Sequence, residues 1–383
     1  MSNQNYITET LELKDSNIIF KENCCYKEKF KEIIHKVYEG YLTYKPDHCP
    51  KCGVVFDEKF EKHGFIISNN TKHKIACDLT KKRSEKDIAF DNNVSPNTVE
   101  RVMDSYYESQ KLYKHYLPQI LSFDEFKSVK SADGAMSFHM CNGITGQTID
   151  IVEDRRLDNL IKYFYYYDYK ARSRVKFIII DMYSPYISLI KKMFPNANII
   201  IDKFHLTQLI SRSLNKTRIK AMNNDKKNYR KFKRYWRLIL KNRDELDYSK
   251  WKKYVCFDHL ITQSDVVNYL INLNEELKQT YLIYQEILYS FKKKDFNHLR
   301  KTLNSINPSV SSYMKTSIKT LIEFLPYIKN TFENSYHNGF IEGNNNFIKV
   351  IKRIAFGFRS FRRFKARIMI CKGLLKIKKI ANA

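Results

Sequence analysis

Apolar residues repeat along the chain with two periods, and the change of period divides it. Between residues 121 and 202 they form short, often β-branched runs bounded by polar clusters. Residues 121–127 (LSFDEFK), 134–141 and 147–152 read as strands, the last two separated by Asn142-Gly143, a hairpin signal. Residues 175–181 (VKFIIID) and 197–202 (ANIIID) are apolar through their middles, as expected of strands covered on both faces. Helical spacing predicts helices over 154–167, from Ser184-Pro185, and from about Phe204.

Outside this stretch the helical period dominates. It predicts a helix over about 26–41 and helical structure from about Lys72 onward. Ser84 and Asp87 satisfy the capping-box pattern, and Ser95 followed by Pro96 restarts a helix after the turn 92–95. Helix, short turn and second helix are the helix-turn-helix layout. From about 206 to 333 strand signals vanish, and Trp236 and Trp251 read as helix-packing residues. The order βββ-α-β-α-β-α predicts an α/β fold, a ribonuclease-H-like mixed sheet flanked by helices.

Charge adds a partner. The 383 residues carry 68 Lys+Arg against 41 Asp+Glu, a formal net charge of +27. A basic chain of this size is expected to bind nucleic acid rather than anionic membrane. No apolar stretch approaches the length of a membrane span, and the N-terminus lacks a signal-peptide pattern. Eight scattered cysteines form no disulfide framework, so a reducing cytoplasm is the expected setting. Cys49 and Cys52, in a CPxCG knuckle, point two thiolates at a possible Zn²⁺. A second ligand pair is missing: His63, His73 and Cys77 match no closed site well.

Against this basic background three carboxylates are candidates for chemistry. Breaking or joining a phosphodiester needs a nucleophilic oxygen and stabilised charge, which two Mg²⁺ (or Mn²⁺) ions held by acids supply. Asp124 lies within the first strand and Asp181 ends the fourth, and these strands are neighbours in a ribonuclease-H-like sheet. Glu342 is the last acid of the chain, and the 41 residues after it hold twelve Lys or Arg. Glu342, Asn345 or Asn346, Lys349 and Arg353 recur at helical spacing. Asp202 competes with Asp181, though it stands where a helix N-cap is needed; Glu125, Asp133 and Glu153 are weaker substitutes. His205 reads as a packed residue with a possible supporting role.

The runs SFDEFK at 122–127, FIIIDMYSPY at 177–186, IIIDKFH at 199–205 and IEGNNNFIKVIKRIAFGFRSF at 341–361 together resemble the ISL-type transposases of bacterial insertion sequences. The resemblance implies a DDE enzyme in which Asp124, Asp181 and Glu342 form the catalytic triad, nick element ends and transfer a 3′-OH to target DNA. It implies double-stranded DNA as partner, with a homodimer or larger assembly on it. It also implies that the helical segment between Asp181 and Glu342 is a large all-α insertion in the catalytic fold. Fingers of this family carry two CxxC pairs, whereas this chain has one. The expected organisation is an N-terminal region with a partial finger (1–70), a helix-turn-helix domain (71–115), the first catalytic part (116–205), the helical insertion (206–335), and the last catalytic helix with a basic tail (336–383). Thr98 and Arg101 are candidate DNA contacts of the second helix. Lys349, Lys352, Arg353, Arg359, Arg362 and Arg363 are candidate phosphate contacts. Two other readings stay open: a non-catalytic DNA-binding regulator with a decayed nuclease fold, and a host ribonuclease-H-like nuclease.

Overall fold

In a computed structural model of the chain, the described residues are 11, 18–30, 33–42, 69–108, 115–336, 338–355 and 357–373. They fall into two units, Met1–Ser68 and Asn69–Ala383. In the first, β1 (Ile18–Phe30) and β2 (Ile33–Leu42) form an antiparallel pair in which Lys27 faces Lys36 and Glu28 faces His35. This replaces the helix expected over about 26–41. The β-branched Ile33, Ile34 and Val37 favour the pleated chain. At Gly40 a Cβ would stand 3.1 Å from the Phe20 ring, a tight approach between the two strands. The Cys49/Cys52 knuckle and His63 lie outside the described residues.

The second unit begins with α1 (Asn69–Leu79), α2 (Glu85–Asp91) and α3 (Pro96–Glu108). The expected caps form. Ser84 Oγ accepts the Asp87 N–H at 3.1 Å, and Ser95 Oγ accepts the Thr98 N–H at 3.3 Å. The sheet follows: β3 (Ile120–Lys127), β4 (Met136–Asn142), β5 (Thr148–Val152), β6 (Phe177–Ile180) and β7 (Asn198–Ile201), in spatial order β5-β4-β3-β6-β7. β4 runs antiparallel to both β3 and β5, while β6 and β7 run parallel to β3. The turn between β4 and β5 needs two glycines. Gly146 has φ +69°, and a Cβ on Gly143 would stand 2.6 Å from Ile120 Cγ2.

Helices α4 (Leu157–Tyr165), α5 (Tyr169–Ser173) and α6 (Ser184–Met193) link these strands. Then come α7 (Lys203–Asn224), α8 (Tyr229–Arg234), α9 (Trp236–Ile239), α10 (Gln263–Asn272), α11 (Glu275–Lys293), α12 (Phe296–Asn304), α13 (Ser312–Glu323) and α14 (Leu325–Glu333). One buried cluster joins Phe123, Phe138 and Phe164 around the sheet to Leu206, Ile210, Tyr284 and Ile287 of the later helices. The edge strand β7 is covered by α14: Thr331 Oγ1 accepts the Ile201 N–H at 3.0 Å, and Asn330 Nδ2 donates to Ile199 O at 2.9 Å.

Two expectations for the helical segment change. It contains a short ribbon, β8 (Lys252–Lys253) paired with β9 (Leu260–Ile261). Trp236 and Trp251 are not packed inside, being 38% and 62% exposed. The chain ends in α15 (Gly339–Ile354) and α16 (Phe361–Cys371). No described helix is long and apolar enough to cross a membrane.

Candidate active site

Strand alternation decides what β3 offers. Leu121 and Phe123 enter the large apolar cluster on one face, while Phe126 packs with Ile348, Ile351 and Phe364 on the other. Ser122 and Asp124 share the face of Phe126, and α15 covers it. Asn338, at the N-cap of α15, hydrogen-bonds the Ser122 hydroxyl, and one turn or more along, Asn345 Nδ2 donates to Asp124 Oδ2 at 2.7 Å. Helix and strand are thus pinned at successive points along one seam.

Asp124 and Asp181 come together through register. Ser122 pairs with Ile179 across the parallel strands β3 and β6, and each aspartate lies two residues beyond its member of that pair. Burial first, and then the Asp181 charge, push the Asp124 carboxyl up to about 6, against the Glu125 N–H and His205. Asp181 is also raised, by burial first and then by Glu125, with His205 and Arg155 opposing. Its Oδ1 is buried with no hydrogen-bond partner among the described residues. A buried carboxylate oxygen without a donor, beside a second disfavoured carboxylate, suits a cation.

Glu342 lies in the first turn of α15, exposed and one helical turn before Asn345. Among the described residues no group of three or more His, Cys, Asp or Glu closes into a metal cluster. The structure therefore brings Asp124 and Asp181 together, and it sets Glu342 on the helix bonded to Asp124 without completing a three-acid ligand set.

Glu125 pairs with Arg155, whose guanidinium lies 4.4 Å from the Tyr183 ring centroid. Asp202 occupies the N-cap position of α7 but its side chain makes no capping bond; its Oδ2 stands 3.9 Å from His205 Nε2. His205 acts on both Asp124 and Asp181, so it belongs to the site's surroundings.

The basic candidates separate into two groups. Lys349, Arg353 and Arg359 are exposed. Lys352 Nζ donates to Ser128 O at 2.5 Å and Lys127 O at 3.2 Å, closing the end of β3. Arg363 pairs with Glu100 and stands 3.6 Å from Asp104, and Arg362 Nη1 lies 3.7 Å from Asp104. These two tie α16 to α3. Thr98 is buried, its hydroxyl 3.1 Å from Ser95 Oγ and accepting Arg101 Nη2 at 3.1 Å; Arg101 is the outward residue.

Sequence reasoning missed the polar residues behind the carboxylates. Asn338 and Asn344 were not singled out, nor was His139, which pairs in register with Asp124 from β4. The available signal was a polar residue at a buried phase: a histidine inside the apolar run SFHMC, and asparagines at the inward positions of α15.

A transposase family model, of the DDE ISL3 type, matches residues 121–368. A Lactococcus lactis subsp. lactis protein named "ATP-dependent protease" is 42% identical over 113 residues, 30% of this chain and 36% of that protein. The transposase for insertion sequence element IS1001 of Bordetella parapertussis is 29% identical over 202 residues, 52% of this chain and 48% of that protein. The chain spans no more than about half the length of these curated relatives.

Proposed function

Because the chain belongs to the DDE transposase family of the ISL3 type, we propose that it is the transposase of a bacterial insertion sequence, nicking element ends and joining the freed 3′-OH to target DNA. The observation that carries this reading is the placement of Asp124 and Asp181 two residues beyond a register pair of adjacent parallel strands, with the helix that carries Glu342 bonded to Asp124. The strand order β5-β4-β3-β6-β7 supports a ribonuclease-H-like catalytic domain interrupted by the helices from α7 to α14.

Asp124, Asp181 and Glu342 are the residues to hold Mg²⁺ or Mn²⁺. When bound, such ions supply Lewis-acid stabilisation and a more acidic water or 3′-OH. The chain's own contribution is placement. The β3–β6 register supports the two aspartates as one pair, α15 carries Glu342 with exposed Lys349 and Arg353, and exposed Arg359 follows that helix; these three cations would contact phosphate. Helices α2 and α3 would act as the helix-turn-helix, presenting Arg101 to DNA, and the active assembly would be a dimer or larger. The Cys49/Cys52 pair is read as an incomplete finger, since a second ligand pair for Zn²⁺ is missing from the sequence.

The test is a labelled duplex carrying an element end, incubated with protein in Mg²⁺ or Mn²⁺. Nicked and strand-joined products are expected from wild type, and none from Asp124→Ala, Asp181→Ala or Glu342→Ala, each of which retains DNA binding. Nicking by Asp181→Ala at the wild-type rate overturns the triad. DNA binding without any nicking by wild type indicates a regulator, and cleavage without joining indicates a nuclease.

A further inference from the structure

Behind Asp124 lies a chain of buried polar side chains drawn from three separate elements. Asn345 of α15 donates from Nδ2 to Asp124 Oδ2 at 2.7 Å and to Glu125 O at 3.3 Å. Its Oδ1 is 2.9 Å from Nδ1 of His139 on β4, and His139 Nε2 is 3.0 Å from the Thr148 hydroxyl on β5. All three residues are buried.

The proton arrangement follows from donor capacity. With Nδ2 committed to two acceptors, Asn345 Oδ1 must accept, so His139 carries its proton on Nδ1. Nε2 is then an acceptor, with the Thr148 hydroxyl as its oxygen donor and the Cys141 thiol, its Sγ 3.2 Å away, as a weaker second one. Burial holds the His139 imidazole down to about 4, so at neutral pH it has the single N–H this chain requires. The Glu125 N–H meets the other oxygen, Asp124 Oδ1, at 2.8 Å. One donor on each oxygen fixes the plane of the carboxylate and leaves each oxygen further lone-pair capacity. Asn346, the alternative at this spacing, is exposed and accepts from Lys349 Nζ at 3.3 Å.

Metal-ligating carboxylates are oriented by such outer hydrogen bonds, whose loss weakens metal binding by about 10- to 100-fold. We propose that Asn345, oriented by His139 and Thr148, is a positioning residue that sets the Asp124 carboxylate for a divalent cation and couples it to the Glu342 helix. The proposal rests on Asp124 being a metal ligand. It adds three buried residues that carry no charge and stand in line behind the Asp124 carboxylate.

The experiment measures Mn²⁺ binding to the full-length protein without DNA, by calorimetry and by the spin-resonance signal of free Mn²⁺, with thermal unfolding in parallel. Asn345→Leu keeps the approximate volume and removes the donor, and it is expected to weaken Mn²⁺ binding about tenfold or more. Thr148→Val and Thr148→Ser form a matched pair two side chains away from the carboxylate. The valine variant is expected to weaken Mn²⁺ binding several-fold, and the serine variant, which keeps the hydroxyl, to restore it. A merely structural network lowers the unfolding temperature of Thr148→Val without changing Mn²⁺ affinity, and that result overturns the proposal. So does wild-type affinity in folded Asn345→Leu; should that variant not fold, the Thr148 pair decides. Asp124→Ala separates the two levels: if it binds Mn²⁺ like wild type, the failure lies in the metal-ligand reading itself.

Discussion

Asp124 and Asp181 stand at the same level of two neighbouring parallel strands, each two residues past the Ser122–Ile179 pair. Nothing local in sequence joins them; the β3–β6 register does. Each is buried enough that its ionised form is disfavoured, and each worsens the other or shares Glu125 as a repulsive neighbour. Without a cation the folded protein therefore carries electrostatic strain at this seam.

That strain has a sign that can be measured. Asp124 is raised from 3.8 to about 6, so its contribution to stability is full below pH 3.8 and is lost as pH rises through 6. His139 is lowered from 6.5 to about 4, so its contribution is full above pH 6.5 and is lost as pH falls through 4. The two oppose each other between about pH 4 and 6. Asp124→Asn removes the titrating group, so the metal-free variant is expected to lose the fall in stability that wild type shows as pH rises through about 6. It should also make the acid loss due to His139 steeper. Urea unfolding in EDTA across pH 4–8 checks this, and superimposable wild-type and variant profiles contradict it.

The basic residues after Glu342 are expected to divide by role. Lys349→Ala, Arg353→Ala and Arg359→Ala should each weaken binding to any duplex and lower the slope of log affinity against log salt by about 1. Arg363→Ala should lower stability instead, since its partners are Glu100 and Asp104 of α3. Salt-titrated DNA binding beside thermal unfolding separates the groups. An equal salt effect for Arg363→Ala and Arg353→Ala counts against the division.

Much of this architecture was legible in the chain. The Ile-rich runs at 177–180 and 198–201 announced strands covered on both faces, and the Ser84 and Ser95 caps formed as their patterns required. The first hairpin was not legible, because Ile33, Ile34, Val37, Tyr38 and Tyr41 fit a helical face as well as a pleated one. Cross-strand pairing decides between the two, and it is not local information. Similarly, Arg362 and Arg363 were expected as phosphate contacts, and in the fold they meet acids on a helix more than 250 residues earlier. Trp251 was misjudged because the ribbon that exposes it is only two residues per strand.

Arg367 shows how far the last helix is committed to the first ones. It is fully buried, and its Nη2 donates to Lys81 O at 3.1 Å and Arg83 O at 2.6 Å, while Ala366, Met369 and Ile370 pack with Ile75, Leu79, Ile88 and Val102. Phe364 and Ile368 of the same helix pack against Phe126 and Ile151 of the sheet. Arg367→Ala should cost about 3 kcal/mol, because buried carbonyls lose their donor and half-buried Glu85 loses a nearby cation. The damage should be local to α1–α3. Hydrogen exchange is expected to rise in 69–108 while the strands remain protected, and uniform loss of protection throughout the unit speaks against a bracing role.

Two glycines beside the site should respond oppositely to alanine. Gly146 has φ +69°, and an added Cβ would lie 2.6 Å from Phe340 Cβ on α15. Gly146→Ala is expected to destabilise by about 1–3 kcal/mol and to push the first turn of α15, with Glu342, off the seam. Gly343 sits inside α15 with nothing within 4 Å of its would-be Cβ. In a regular helix that substitution should stabilise by about 0.5–1 kcal/mol. A nicking assay beside the melting curves adds the functional comparison. If Gly343→Ala is more stable and nicks normally, the open space beside Glu342 is incidental. If it is more stable but nicks poorly, the bare backbone there is needed for DNA to approach Glu342, and the glycine is kept for the reaction rather than the fold. Destabilisation by Gly343→Ala contradicts the helical geometry from which both expectations start.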